Sequence, residues 1–174
     1  MPARSAAHLI FRLVEQPLPD RLISGLAAFE AGDAAAESLV EWAVAALVAG
    51  HDSATLRVLA GLLPGEADGS AIAAYARRAA RELEVEMPEG EALCRAYISV
   101  ACRALLHGEL APEVALDRIH RWVVSPLGHP RDLMRWCYLW EGNGPDCEFL
   151  DVPNTEYVLA EARRWVAAEP GAAA

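Results

Sequence analysis

Apolar residues return every three or four positions along nearly the whole chain, and most of these runs stop at a glycine or a proline. That period fits the 3.6-residue turn of an α-helix and not the two-residue alternation of a strand, so the spacing predicts an all-α fold. Leu9, Ile10, Leu13 and Val14 mark a first helix, halted by Pro17 and Pro19. Leu22, Ile23, Leu26 and Phe29 mark a second, running toward Gly32. Asp33 is the expected cap of a third, which has Glu37 in its first turns and lasts to Ala49. From Trp42 onward this helix is apolar on nearly every side, which predicts a central position.

The next stretch, "GHDS" at Gly50–Ser53, lines up a His, an Asp and a Ser. A hydrolytic triad needs its members to converge side chain to side chain, and sequence neighbours seldom do so. No G-x-S-x-G elbow accompanies them. A helix corner explains them better. Gly50 ends one helix in the left-handed conformation, and Asp52 or Ser53 caps the next, which offers Leu56, Leu59 and Leu63 before Pro64 and Gly65. Further helices follow. One places Ile72, Tyr75, Ala76, Ala79 and Leu83 inward, with Arg77, Arg78 and Arg81 outward. A second central helix carries Leu93, Tyr97, Val100, Ala101, Ala104 and Leu105 on one stripe. Another runs from Pro112 to about Val124 with Leu116, Ile119 and Val123 inward, and the next brings Leu133, Trp136, Cys137 and Trp140 onto one face. Gly142 to Pro153 reads as irregular. Asn154 or Thr155 caps a last helix with Val158, Ala162, Trp165 and Val166 facing in.

At 174 residues these segments suit one compact domain of eight or nine helices spanning 1–174, with 170–174 frayed. An internal echo pairs Ala43, Ala46, Leu47 and Gly50 with Ala101, Ala104, Leu105 and Gly108. A short HEAT-like stack is the architecture that such a repeat would give. "AALVAGHDSATLRVLAGL" (Ala45–Leu62) resembles a stretch found in small, uncharacterised bacterial all-helical proteins, and "GELAPEVALDRIHRWVVSPLGHPRDL" (Gly108–Leu133) is similar in character. The resemblance implies a helical fold and a bacterial origin and carries over no functional residue. Some polymorphic-toxin immunity proteins are alike in size, helicity and acidity, an analogy at the level of fold.

Charge and composition narrow the chemistry. The net charge is −10, and every basic residue is Arg. Lysine Schiff bases and lysine-based P-loop phosphate binding are therefore excluded. The charge disfavours nucleic acid and anionic membranes, and suits a cytoplasmic protein or one that docks a basic partner. "HLIFRLVEQ" is broken by Arg12 and Glu15, unlike a signal peptide, and "WAVAALVAG" is too short to cross a bilayer. Cys94 and Cys102, about 12 Å apart along a helix, read as reduced core thiols.

Metal binding would draw on His107, His120, His129, Cys137 and Cys147. No pair of these has the two- to four-residue spacing of a zinc knuckle and no H-E-x-x-H occurs, so no metal or other cofactor is expected, the alternative being a zinc site assembled from scattered helices. Glu82, Glu84 and Glu86 follow the cluster of Arg77, Arg78 and Arg81 and cancel its field, so a solvated face is expected there. The richest stretch is "RWCYLWEGNGPDCEFLDVP" (Arg135–Pro153), which mixes aromatics with acids around a glycine-proline turn. Either the aromatics anchor the loop and the acids stay solvated, or Trp140, Glu141, Asp146, Glu148, Phe149 and Asp151 form a patch for a basic protein. The leading expectation is a non-enzymatic protein-binding module of the immunity or antitoxin kind. The alternative is a ligand-binding or enzymatic domain with a pocket between helices that involves His107, His120 and Tyr97.

Overall fold

The computed structural model describes residues 18–32, 36–63, 66–142 and 154–169, and among them it holds eight α-helices and no strand. These are α1 (Leu18–Glu30), α2 (Glu37–Val48), α3 (Ala54–Ala60), α4 (Gly69–Glu82), α5 (Gly90–Leu106), α6 (Pro112–Ile119), α7 (Met134–Glu141) and α8 (Asn154–Ala167). The expected helix before Pro17, the cap at Asp33 and the segment 143–153 lie outside the described residues. The fold class is as the periodicity predicts. The contacts gather into two compact units, Met1–Pro88 and Glu89–Ala174.

In the first unit α2 packs against α1, α3 and α4, and α3 lies along α4. Leu22, Leu26, Leu39, Trp42, Leu56 and Leu59 form the core, and Ala43, Ala46, Ala76 and Ala79 let the helices approach closely. The Trp42 indole N–H donates to the Leu18 carbonyl at 3.1 Å, so its one polar atom is not stranded. Two expectations are corrected here, the central burial of α2 and the inward position of Tyr75. Val44 and Val48 of α2 are 45% and 83% exposed, because Leu39, Trp42, Ala43 and Ala46 fill the buried face and leave the other apolar residues outside. Tyr75 is likewise exposed, since Ile72, Ala73, Ala76, Ala79 and Ala80 make the inner face of α4.

The corner at Gly50 is a helix end and a helix start, as expected. Gly50 has φ 89, its N–H donates to Leu47, and the His51 N–H donates to Ala46, which satisfies two carbonyls at the end of α2. Ser53 Oγ accepts from the Leu56 N–H at 3.1 Å, and the Asp52 carboxylate grips Arg57 at 2.7 and 3.0 Å. A second carboxylate reaches the same helix start from α4. Glu82 accepts from the Thr55 N–H at 2.9 Å and from the Thr55 hydroxyl at 2.5 Å. These Thr55 bonds, with another from Ser53, hold the Glu82 carboxyl down at about 2.

In the second unit α5 runs along α8, and α6 packs on α5, α7 and α8. Leu93, Ile98, Leu116, Ile119, Val123, Val124, Leu133 and Trp136 are buried. The Trp165 indole donates to Ser99 Oγ at 3.0 Å, tying α8 to α5. Glu161 of α8 is almost fully buried, and Arg135 and Arg164 both engage it. Nearby, burial and then the charges of Glu161 and Glu169 push the Cys102 thiol up to about 12, so it is an inert core group. The helix predicted over 112–124 is not regular throughout. Its α-helical part stops at Ile119, and His120–Val124 form a π turn.

Candidate metal centre

The site grows out of that π turn. Ile119, Val123 and Val124 are fully buried and pin both sides of it. The Ser125 N–H closes it by donating to the His120 carbonyl at 2.9 Å, an i→i+5 bond. The chain then reverses. Gly128 has φ 71, and His129, with φ 58, is left-handed as well. Such a conformation costs a residue with a side chain roughly 1–2 kcal/mol. The His129 N–H donates to Val124 at 2.9 Å, Pro130 blocks any continuation, and a 3-10 turn over Arg131–Leu133 leads into α7. Leu133 and Trp136, both fully buried, seat α7 so that Cys137 faces the π turn.

This path brings together three donors from separate stretches of chain. The ligand atoms of His120, His129 and Cys137 all lie within 4.8 Å of one another. Cys137 is buried, His120 half-buried and His129 exposed, so the cluster opens to solvent on the His129 side. The His120 ring stacks flat on Trp140, with centroids 3.8 Å apart and planes 4° from parallel, and lies 5.8 Å from the His129 ring. One turn beyond Cys137 on the same helix, Glu141 Oε1 sits 3.4 Å from Cys137 Sγ and accepts from the thiol.

The electrostatics suit neutral donors. Burial, then the neighbouring His129, holds His120 below the ordinary imidazole value, against the opposing pull of Asp117 and Glu141. An uncharged ring keeps a lone pair for a metal. Burial, reinforced by Glu141, pushes the Cys137 thiol up, which leaves it a poor nucleophile by itself. A cation would reverse that, because coordination deprotonates a thiol. Two imidazoles and one thiolate form a borderline-soft set, the kind that selects zinc over magnesium or calcium. Around a tetrahedral zinc, neighbouring ligand atoms lie about 3.3–3.6 Å apart, so donors within 4.8 Å of one another would draw in by at most about 1.5 Å.

Other residues singled out in the sequence go elsewhere. His107 is 70% exposed, 3.9 Å from Glu109, and Tyr97 is buried against Trp122 with ring centroids 4.8 Å apart. Trp140 and Glu141 sit at the end of α7, beside the cluster. Asp146, Cys147, Glu148, Phe149 and Asp151 lie outside the described residues. The donors were visible in the sequence, but they are nine and eight positions apart and match no linear metal motif. The signal that could have found them is Gly128-His129-Pro130, a turn that aims a histidine back along the chain. Compared with family models, curated proteins and solved structures, the chain matches none, so its function is read from this geometry.

Proposed function

We propose that the second unit binds one divalent transition-metal ion, zinc by the chemistry of its donors, through His120, His129 and Cys137. The observation that supports this is the convergence of three such ligand atoms within 4.8 Å from the π turn, the left-handed corner and α7. The bound ion ties these three stretches together and offsets the cost of the left-handed His129. Metal analysis of the full chain, equilibrated with zinc and freed of excess, tests it. One zinc per chain is expected, and Cys137→Ser should release it. A wild-type chain that retains no zinc overturns the proposal.

A second reading concerns partners. Tyr138 and Trp140 are 63% and 39% exposed on α7, which ends at the acidic Glu141. Exposed aromatics beside acids are the groups that anchor and steer a basic protein, and the net charge of −10 adds long-range attraction. We propose α7 as a docking surface for such a partner. With a partner captured from the source lysate, Tyr138→Ala should weaken binding with little change in the melting temperature. Unchanged affinity would remove α7 from consideration.

A further inference from the structure

We infer that Glu141 supplies the fourth ligand, so that two histidines, one cysteine and one glutamate close the shell around the ion and leave no position for a reactive water. The inference rests on the metal-binding proposal and adds what that proposal leaves open, namely whether the site holds or reacts.

Three observations support it. Cys137 and Glu141 are four residues apart on α7, hence on one face of the helix, and their sulfur and carboxylate oxygen are 3.4 Å apart. A tetrahedral ion with bonds of about 2.3 Å to sulfur and 2.0 Å to oxygen needs an edge of about 3.5 Å between those two atoms. The thiol hydrogen bond thus already spans the edge that the metal would take over. Glu141 also lies near enough to His120 for that ring to feel its charge, so the carboxylate neighbours two of the three donors. Charge also balances. Two neutral imidazoles, one thiolate and one carboxylate carry −2 and cancel the divalent ion, whereas water in the fourth position would leave +1 against the buried Cys137.

The exchange balances in protons. The thiol proton of Cys137 leaves for solvent as sulfur donates to the metal, and the carboxylate gives up its hydrogen bond from the thiol for a bond to the ion. No electron moves.

Cobalt(II), a spectroscopic stand-in for zinc, separates metal binding from ligation by Glu141. Wild-type full chain titrated with cobalt should show thiolate-to-cobalt charge transfer together with the intense visible bands of a four-coordinate ion. Glu141→Gln should keep the charge-transfer band, change the visible bands and weaken binding by about tenfold to a hundredfold. Glu113→Gln, at an exposed carboxylate on α6, controls for net charge and should leave both unchanged. If wild type takes up no cobalt, the metal reading falls, and this inference falls with it. If wild type binds and Glu141→Gln matches it in affinity and spectrum, the three-ligand site stands and Glu141 is not a ligand. Circular dichroism of the metal-free variant identifies any loss due to unfolding, and Glu141→Asp then decides. The shorter carboxylate should bind more weakly than wild type if Glu141 is a ligand, and equally well if it is not.

Discussion

Two corners of this protein share the same pair of residues and the same backbone hydrogen bonds, yet only one of them assembles a site. At Gly50-His51 the glycine is left-handed, and the two N–H groups donate back to Leu47 and Ala46. At Gly128-His129 the bonds repeat, to Ser125 and Val124. The difference lies in what surrounds them. After His51 come Asp52 and Ser53, committed to Arg57 and to the start of α3, and His51 is exposed. After His129 comes Pro130, and His129, itself left-handed, meets a histidine from the π turn and a cysteine from α7. A Gly-His turn is thus a neutral device. Its chemistry comes from what the rest of the unit packs beside it.

The sharpest way to break the comparison is to replace each histidine. His129→Ala should lower zinc affinity by about a hundredfold in calorimetric titration, and His51→Ala should leave it unchanged. An equal loss at both corners would mean that zinc binds without the cluster. A smaller effect tests whether the two left-handed glycines are held alike. Gly50→Ala and Gly128→Ala should each destabilise by roughly 1–2 kcal/mol in urea unfolding of the metal-free chain, because both force a side chain into the left-handed region. A clear difference between them would show that one corner relaxes. The smallest effect sharpens the first corner alone. The Glu82 carboxyl is lowered from its ordinary value of 4.5 to about 2 by Thr55 and Ser53. Its stabilising contribution is therefore complete above pH 4.5, declines as the pH falls, and is gone below about 2. Glu82→Gln should flatten that part of the stability profile measured by thermal melts. An unchanged slope would place the pH dependence elsewhere.

The fold was legible because its signal is local and repeated. Leu22, Leu26, Leu56, Leu59, Leu93, Leu116 and Ile119 recur at helical spacing, and all are fully buried. Periodicity failed where a helix is apolar on more faces than it can bury. Val44 and Tyr75 are apolar yet exposed, because Ala43 and Ala46 of α2 and Ala76 and Ala79 of α4 occupy the inner faces and allow closer helix contact. The cap at Ser53 was legible too, since its partner Leu56 is three residues away, whereas the Glu82 cap arrives across 27 residues and has no local trace. The site was legible only as an inventory. His120, His129 and Cys137 were among the donors, yet their convergence depends on the π turn and on His129 adopting φ 58. Neither leaves a mark in the apolar pattern, because Ile119, Val123 and Val124 are buried on either side of the irregularity.

The wide turn at His120–Val124 also constrains how the chain can change in length. A π turn carries one residue more than an α turn, so deleting one residue here would restore regular winding and abolish the bulge from which His120 starts. Leu116 and Ile119 before the bulge and Val123 and Val124 at its end are all buried, so the core could close around the shorter helix while the donors lose their alignment. A single-codon deletion is therefore the shortest mutational path from a chain that gathers these donors to one that scatters them. Relatives that keep the helices but lose that codon should have drifted at the donor positions as well.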